Sequence, residues 1–98
     1  MPAAYWIAHV TVTDPVRYGD YASRATTAIA AHGGVFLVRG GTYEQLEGPD
    51  RPRNVLARFP SLAAAHDCYH SALYQEALGF AKGAALREVV IVEAVDEI

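Results

Sequence analysis

The stretch from Ala31 to Gly41 (AHGGVFLVRGG) constrains the fold most, because it places a short apolar run between two glycine pairs. An alanine-rich segment followed by a glycine pair is typical of a helix end, since glycine adopts the left-handed conformation without steric cost. The run Val35 to Val38 has the composition of a β-strand. We expect the second glycine pair to bend or bulge that strand beside Arg39. The stretch therefore predicts a cation held at a kink in a small sheet.

Alternation, capping residues and helical spacing predict the element order β-α-β-β-α-β. Tyr5 to Val12 alternates between two faces, and Asp14 followed by Pro15 is a helix start. Two further strands are expected, one from Val35 to about Glu47 that is interrupted at Gly40–Gly41 and one from Asn54 to Phe59. A helix capped by Ser61 then runs from Leu62 to about His70, and Ser71 caps a further turn. The last strand, from Arg87 to Val95, is expected to be buried on both faces. This order predicts a single α+β domain over residues 1–98 with the ferredoxin-like fold, in which both helices cover one face of an antiparallel sheet.

The composition predicts a homodimer. Hydrophobic residues make up 52% of the chain and charged residues 19%, yet a domain of this size buries only about 60–65% of its surface. The first strand also presents a mixed face of Tyr5, Ile7, His9 and Thr11. At about 25 cal/mol per Å² of apolar area, a second copy packed over that face would add considerable stability.

Charge and cysteine content exclude several classes of partner and location. The net charge of −3 argues against nucleic acid or an anionic membrane, since both attract a basic face. The single cysteine, Cys68, suits a reducing cytoplasm. The start MPAAYWIAH lacks the features of a signal peptide, and no apolar run approaches the ~20 residues of a membrane span. The sequence therefore predicts a cytoplasmic protein.

The segments AYWIAHVTVTDPVRY, AHGGVFLVRGG, LEG, RFPSLAAAHDCYHSALYQEAL and VVIVEAV follow one another from about Ala4 to Val95. Together they resemble the family known as domain of unknown function 1330. The resemblance implies a ferredoxin-like protomer of a dimeric α/β-barrel, an architecture shared by small monooxygenases, lactone isomerases and haem-binding enzymes. The polar positions that recur in the family fall here on His32, Arg39, Glu47 and Tyr74. Ala81 stands where members often carry arginine, so an anion site completed there would be missing or would use Lys82.

Arg39, Glu47 and His9 are the candidate catalytic residues. The guanidinium of Arg39 suits a carboxylate or enolate on a ligand, although an internal salt bridge to Glu47 across the bend is an equal alternative. Because an arginine partner lowers the pKa of a carboxyl group, we expect Glu47 to orient Arg39 rather than abstract a proton. His9 is either a proton carrier on the mixed face or a hydrogen-bonded interface histidine.

Three further residues are candidates for ligand binding. His32 precedes the first glycine pair, where it either contributes to a ligand site or caps the helix end. Tyr5 and Tyr74 can donate to a ligand oxygen, but tyrosines at such spacings also pack as amphipathic core residues.

The segment His66-Asp67-Cys68-Tyr69-His70 has the spacing of a zinc-protease motif with aspartate in place of glutamate. The shorter aspartate, the absence of an evident third ligand and the expected helix end at His70 favour an ordinary helix. We predict no metal site here and interpret Cys68 as a small helix residue.

These features and the family resemblance predict a small dimeric α/β-barrel protein that works without a cofactor. As an enzyme it would carry out acid–base chemistry, isomerisation or cyclisation, on a small anionic or carbonyl-bearing molecule. The alternative is a non-catalytic module for ligand binding or assembly. Haem binding, implied by analogy with barrel relatives, is a third option.

Overall fold

The computed structural model describes residues 2–95, which form one antiparallel sheet and three helices. The elements are β1 (Ala4–Val12), α1 (Pro15–Ala31), β2 (Val35–Arg39), β3 (Arg53–Phe59), α2 (Leu62–His70), α3 (Ala72–Ala81) and β4 (Ala85–Glu93). The strand order is β2-β3-β1-β4. The predicted ferredoxin-like order is confirmed, with the second helical unit split into α2 and α3. None of the helices within residues 2–95 is long and apolar enough to cross a membrane.

Short polar side chains set the helix boundaries, as predicted. Asp14 caps α1 by accepting a hydrogen bond from the backbone N–H of Arg17 at 3.1 Å, and Pro15 opens the first turn. Ser61 caps α2 in the same way. Ser71 both ends α2 and starts α3, because its hydroxyl donates to the carbonyl of Cys68 and accepts from the N–H of Tyr74. The turn expected after Ser71 is therefore a full helix of ten residues.

The second strand is shorter than expected. It ends at Arg39, and the register shift lies between Phe36 and Val38 rather than at the second glycine pair. Gly40 has φ +70°, and its N–H donates to the carbonyl of Asn54 at 2.8 Å. The left-handed conformation of Gly40 thus ends the strand instead of bulging it.

The sheet has one covered face and one bare face. The covered face carries Trp6, Ala8 and Val10 of β1, which pack against buried residues of α1 and α3. Tyr5, Ile7, His9 and Thr11 point to the opposite face, as the alternation predicts. The expected burial of β4 on both faces is wrong for the single chain, because no helix covers its outer side chains. The exposed ones are Leu86, Glu88, Val90 and Val92.

Candidate functional site

A narrow cavity, partly open to solvent, lies between α1 and the covered face of the sheet. About 30 Å³ of it is open to the centres of water molecules, and the whole concavity, counted out to its open mouth, has about 380 Å³ of space free of protein atoms. Its lining is mainly apolar and aromatic. The lining side chains other than arginine are Trp6, Ala8, Tyr18, Tyr21, Ala22, Ala25, Thr26, Ile29, Phe36 and Val55.

Three arginines give this cavity its charge. Arg53 of β3 and Arg87 of β4 both pair in register with Val10 of β1, so they lie at the same level on either side of the central strand. Arg39, on β2, pairs with Val55 of β3. Since Val10 is on the covered face, the alternation of each strand brings these cations under α1. We call Arg39, Arg53 and Arg87 the arginine cluster.

The arginine cluster is stacked on aromatic rings, and no carboxylate of residues 2–95 pairs with it. The guanidinium carbon lies 4.6 Å from the ring centroid of Phe36 for Arg39, 6.0 Å from that of Tyr18 for Arg53, and 4.5 Å from that of Tyr21 for Arg87. Within residues 2–95 no aspartate or glutamate lines the cavity or pairs with the cluster. The Nε atoms of Arg53 and Arg87 are buried without a hydrogen-bond partner in the described chain. Guanidinium groups in this setting can donate hydrogen bonds to an anion.

Two tyrosines lie at the polar end of the cavity, Tyr21 in its lining and Tyr74 behind it. The hydroxyl oxygens of Tyr21 and Tyr74 lie 2.8 Å apart. Nη2 of Arg87 donates to Tyr21 at 2.7 Å and to Tyr74 at 3.3 Å. Burial raises the pKa of Tyr21 far above its usual range and raises that of Tyr74 as well. Both hydroxyls are therefore protonated at neutral pH and can donate hydrogen bonds.

Arg87 remains charged in this setting. Burial by itself lowers the pKa of Arg87, but the neighbouring Tyr21 and Tyr74 oxygens outweigh it and leave the pKa above its usual range. A guanidinium that is stacked, hydrogen-bonded and desolvated interacts more strongly with an anion than one in water does. The polar end thus presents a fixed positive charge and at least one hydroxyl proton.

The structure separates the three candidate catalytic residues. Arg39 belongs to the arginine cluster, whereas His9 and Glu47 line a second pocket at the bare face, beneath the loop from residue 43 to residue 51. The expected ion pair between Arg39 and Glu47 is not formed among the described residues. The early end of β2 at Arg39 is the cause, because Glu47 follows in a loop rather than on the same strand.

The second pocket encloses about 500 Å³, and all of its lining residues except Pro49 carry a polar group on the side chain. Nδ1 of His9 lies 2.7 Å from the side-chain oxygen of Asn54, whose amide nitrogen donates to the carbonyl of Arg51. Arg51 makes two hydrogen bonds to the carboxylate of Glu88, and this contact lowers the pKa of Glu88. His9 therefore takes part in a hydrogen-bonded network at the bare face.

The three candidate ligand-binding residues lie in different places. Tyr5 is half-buried on the bare face. His32 is the C-cap of α1, where Nδ1 lies 2.8 Å from the carbonyl of Ala28. Tyr74 is fully buried behind Tyr21 and does not line the cavity itself. Lys82, beyond the end of α3, is exposed and lines none of the pockets described here.

His66 and His70 lie on one face of α2. The two imidazole centroids are 4.4 Å apart, and Nδ1 of His66 lies 3.6 Å from Asp67. No group of three metal-ligating side chains occurs within residues 2–95. Cys68 points the other way, into the core, where burial raises the pKa of its thiol to about 11. The thiol is protonated at neutral pH and therefore unreactive.

Arg53, Arg87 and Tyr21 were not identified as site residues from the sequence. A signal for Arg87 was present in the sequence, because it alternates in phase with Val89 and Ile91, which lie on the covered face of β4. A charged side chain on a covered strand face is rare, because its burial costs free energy, and it therefore marks a candidate functional residue. The meeting of Arg87 with Tyr21 had no local signal, since 66 positions separate them.

Solved structures with the same fold match nearly the whole chain. A protein of unknown function from Rhodopseudomonas palustris superposes with a TM-score of 0.77 at 17% identity, covering 98% of this chain and 85% of that one. SnoaB, a cofactor-independent oxygenase from Streptomyces nogalater, superposes with a TM-score of 0.66 at 13% identity, covering 100% and 98%. A candidate antibiotic biosynthesis monooxygenase from Caulobacter crescentus gives 0.63 at 15% identity, covering 97% and 92%. The shared fold is the ferredoxin-like protomer of dimeric α/β-barrel proteins.

Sequence comparison assigns the family. No protein with a curated function matches the chain. The family model described as domain of unknown function (DUF1330) matches residues 3–95. The resemblance carried by the glycine-bracketed strand and its flanking segments is thereby confirmed: this chain belongs to the DUF1330 family.

Proposed function

We propose that the protein binds a small organic anion, a carboxylate or an enolate, in the cavity beneath α1. The observation that carries this proposal is the arginine cluster, which faces an apolar cavity without a carboxylate among the described residues to neutralise it. Arg39 is exposed, but Arg53 and Arg87 are half-buried and each keeps a buried Nε atom without a partner in the described chain, and a partly desolvated cation is stabilised when a ligand supplies the opposite charge. The aromatic and aliphatic lining suits the apolar part of the same ligand.

As an enzyme, the protein would stabilise an enolate-type oxyanion in chemistry that needs no cofactor. Arg87 and Tyr21 would hold the developing negative charge, which is a form of electrostatic catalysis. Isomerisation and cyclisation of carbonyl compounds both pass through such an anion. Likeness of fold to a cofactor-independent oxygenase supports the same general type of chemistry. Because neither histidine nor carboxylate lines this cavity in the described chain, the substrate would arrive ionised or lose its proton to water.

Binding of benzoate and of its neutral analogue benzamide tests the proposal. We expect calorimetry to show benzoate binding and no benzamide binding, since only the carboxylate pairs with the arginine cluster. Arg53→Gln should weaken benzoate binding about tenfold or more, because a hydrogen bond to a charged group contributes about 1.5–3 kcal/mol. The matched control Lys82→Gln removes one exposed positive charge and should leave the affinity within about twofold. Equal binding of both compounds, or of neither, would contradict the proposal.

Exchange of the methylene protons of phenylpyruvate with D₂O separates catalysis from binding. A protein that stabilises the enolate accelerates this exchange, which NMR measures directly, and Arg87→Gln should abolish the acceleration. A non-catalytic binding module, the second candidate, would bind benzoate and leave the exchange rate unchanged. The two functions thus give different results in one pair of experiments.

We propose in addition that the protein is a homodimer formed through the bare face of the sheet. In the single chain that face exposes Leu86, Val90 and Val92 of β4 beside the half-buried Ile7 and Leu56. An exposed contiguous apolar patch is typical of an interface. The polar pocket around His9 would then lie at the edge of the dimer contact. A cytoplasmic location stays a prediction, made from the single cysteine.

A further inference from the structure

We infer that Tyr74 is a positioning residue for the anion site, although it does not line the cavity. Its role is to donate its hydroxyl proton to the oxygen of Tyr21 and so leave Tyr21 able only to donate into the cavity. This inference rests on the function proposed above and deepens it. It adds a reason why the site accepts an ionised oxygen and rejects a protonated one.

The direction of the hydrogen bond between the two tyrosines follows from the partners each has. Tyr74 is fully buried, and within residues 2–95 its hydroxyl contacts only Tyr21 and Nη2 of Arg87. The guanidinium is a donor and cannot accept a proton. The Tyr74 proton can therefore be satisfied only by the oxygen of Tyr21. The reverse direction would leave a buried hydroxyl proton unpaired, which is unfavourable.

Tyr21 is consequently saturated as an acceptor. Its oxygen accepts from Tyr74 at 2.8 Å and from Arg87 at 2.7 Å, and a hydroxyl oxygen accepts at most two such bonds. Its own proton has no partner among the described residues and is free for the cavity that Tyr21 lines. Two accepted bonds also polarise the O–H group and make it a stronger donor.

The saturated Tyr21 selects the charge state of the ligand. A carboxylate or phenolate oxygen accepts the Tyr21 proton and pairs with the arginine cluster. A neutral phenol or protonated acid carries a hydrogen that neither Tyr21 nor an arginine of the cluster can accept. Removal of the Tyr74 hydroxyl frees one lone pair on Tyr21, so that a neutral phenol gains an acceptor. Loss of the Tyr74 hydroxyl should therefore strengthen binding of the neutral form of the ligand.

The test uses 4-nitrophenol, whose absorbance distinguishes the ionised from the neutral form. We expect the wild-type protein to bind the phenolate preferentially and so lower the apparent pKa of the bound probe. Tyr74→Phe should reduce the preference for phenolate over phenol about tenfold, and it should do so partly by tightening binding of the neutral form. Tyr69→Phe is the matched control, because Tyr69 packs against Tyr74 at a centroid distance of 5.2 Å without lining the cavity. It should leave the preference unchanged.

A double-mutant cycle shows whether Tyr74 acts through Tyr21. In the Tyr21→Phe background, Tyr74→Phe should change the phenolate preference by less than about twofold. An equal loss in both backgrounds, or an unchanged preference in Tyr74→Phe, would overturn the inference while leaving the anion site intact. Failure of the wild-type protein to bind 4-nitrophenolate at all would instead overturn the proposed function, and the inference with it.

Proton NMR of the wild-type protein gives a second readout that does not depend on a stable variant. Addition of benzoate should shift the hydroxyl proton of Tyr21, which faces the ligand, and leave that of Tyr74 in place. A shift confined to the Tyr74 proton would show the opposite direction of the bond and overturn the inference.

Discussion

At the scale of single residues, Gly34 shows how closely the helix-to-strand junction is packed. A Cβ atom on Gly34 would lie 2.5 Å from Cγ2 of Ile29 and 2.9 Å from Cζ of Phe59. We expect Gly34→Ala to lower the free energy of unfolding by about 1–3 kcal/mol, because both neighbours belong to the buried core. Urea denaturation measures the change.

The control for this variant is Gly19→Ala. Gly19 lies within α1 with no atom near the position of its Cβ, so alanine should raise stability by about 0.5–1 kcal/mol through helix propensity alone. A similar loss of stability in both variants would show that the close contacts at Gly34 do not cause the destabilisation by Gly34→Ala.

Cys68 should make the protein less stable in mild alkali. Its pKa in the folded chain is raised to about 11 by burial, whereas an unfolded thiol ionises near about 8.5. The folded state therefore keeps its proton while the unfolded state loses one, and this contribution, complete below pH 8.5, is lost as pH rises toward 11. Between pH 8 and pH 10 the loss amounts to about 2 kcal/mol.

Urea denaturation at several pH values checks the effect of Cys68. Cys68→Ala lowers stability at neutral pH by removing a core contact, but between pH 8 and pH 10 it should lose about 2 kcal/mol less than the wild-type protein, and what loss remains comes from other groups such as Tyr21 and Tyr74, whose pKa values are also raised. A slope equal to that of the wild-type protein would assign the alkaline loss to other groups.

At the scale of elements, Ser71 joins α2 to α3 and fixes the start of the helix that carries Tyr74. Its hydroxyl accepts from the Tyr74 N–H at 3.1 Å and donates to the Cys68 carbonyl at 2.7 Å. We expect Ser71→Ala to lower the free energy of unfolding by about 1 kcal/mol, as for other helix caps. Ser23→Ala, exposed within α1, should change it by less than about 0.5 kcal/mol.

The helix boundaries could be predicted from the sequence because their causes are local. Asp14, Ser61 and Ser71 each satisfy backbone groups within three positions of themselves. The end of β2 could not be predicted in the same way, since a glycine pair permits both a bulge and a stop. The pairing of Gly40 with Asn54 in the next strand decides between them.

The candidate site was predicted only in part, because contacts between residues distant in the sequence bring it together. Arg39 was identified from its place in the glycine-bracketed strand, and its neighbours in the cluster come from β3 and β4. Their convergence depends on strand register, which places Arg53 and Arg87 on either side of Val10. Register is set by the whole sheet and cannot be read from one segment.

At the scale of the whole molecule, the two proposed functions lie on opposite faces of the sheet. The cavity proposed to bind the anion lies at the covered face and is lined by residues of one chain. The bare face holds the apolar patch of β4 and the network around His9. We therefore expect dimer formation and anion binding to be separable by mutation.

Val90→Arg tests this separation. Val90 is 53% exposed at the middle of the outer face of β4, where a second copy would enclose an unpaired charge at a cost of several kcal/mol. Sedimentation at micromolar concentration should show a wild-type dimer and a monomeric variant that still binds benzoate. Val16→Arg, on a valine 84% exposed in α1, is the control and should remain dimeric, because its helix faces away from the bare face. A dimer that tolerates Val90→Arg would place the interface elsewhere, and a monomeric variant that no longer binds benzoate would mean that the anion cavity depends on the assembly.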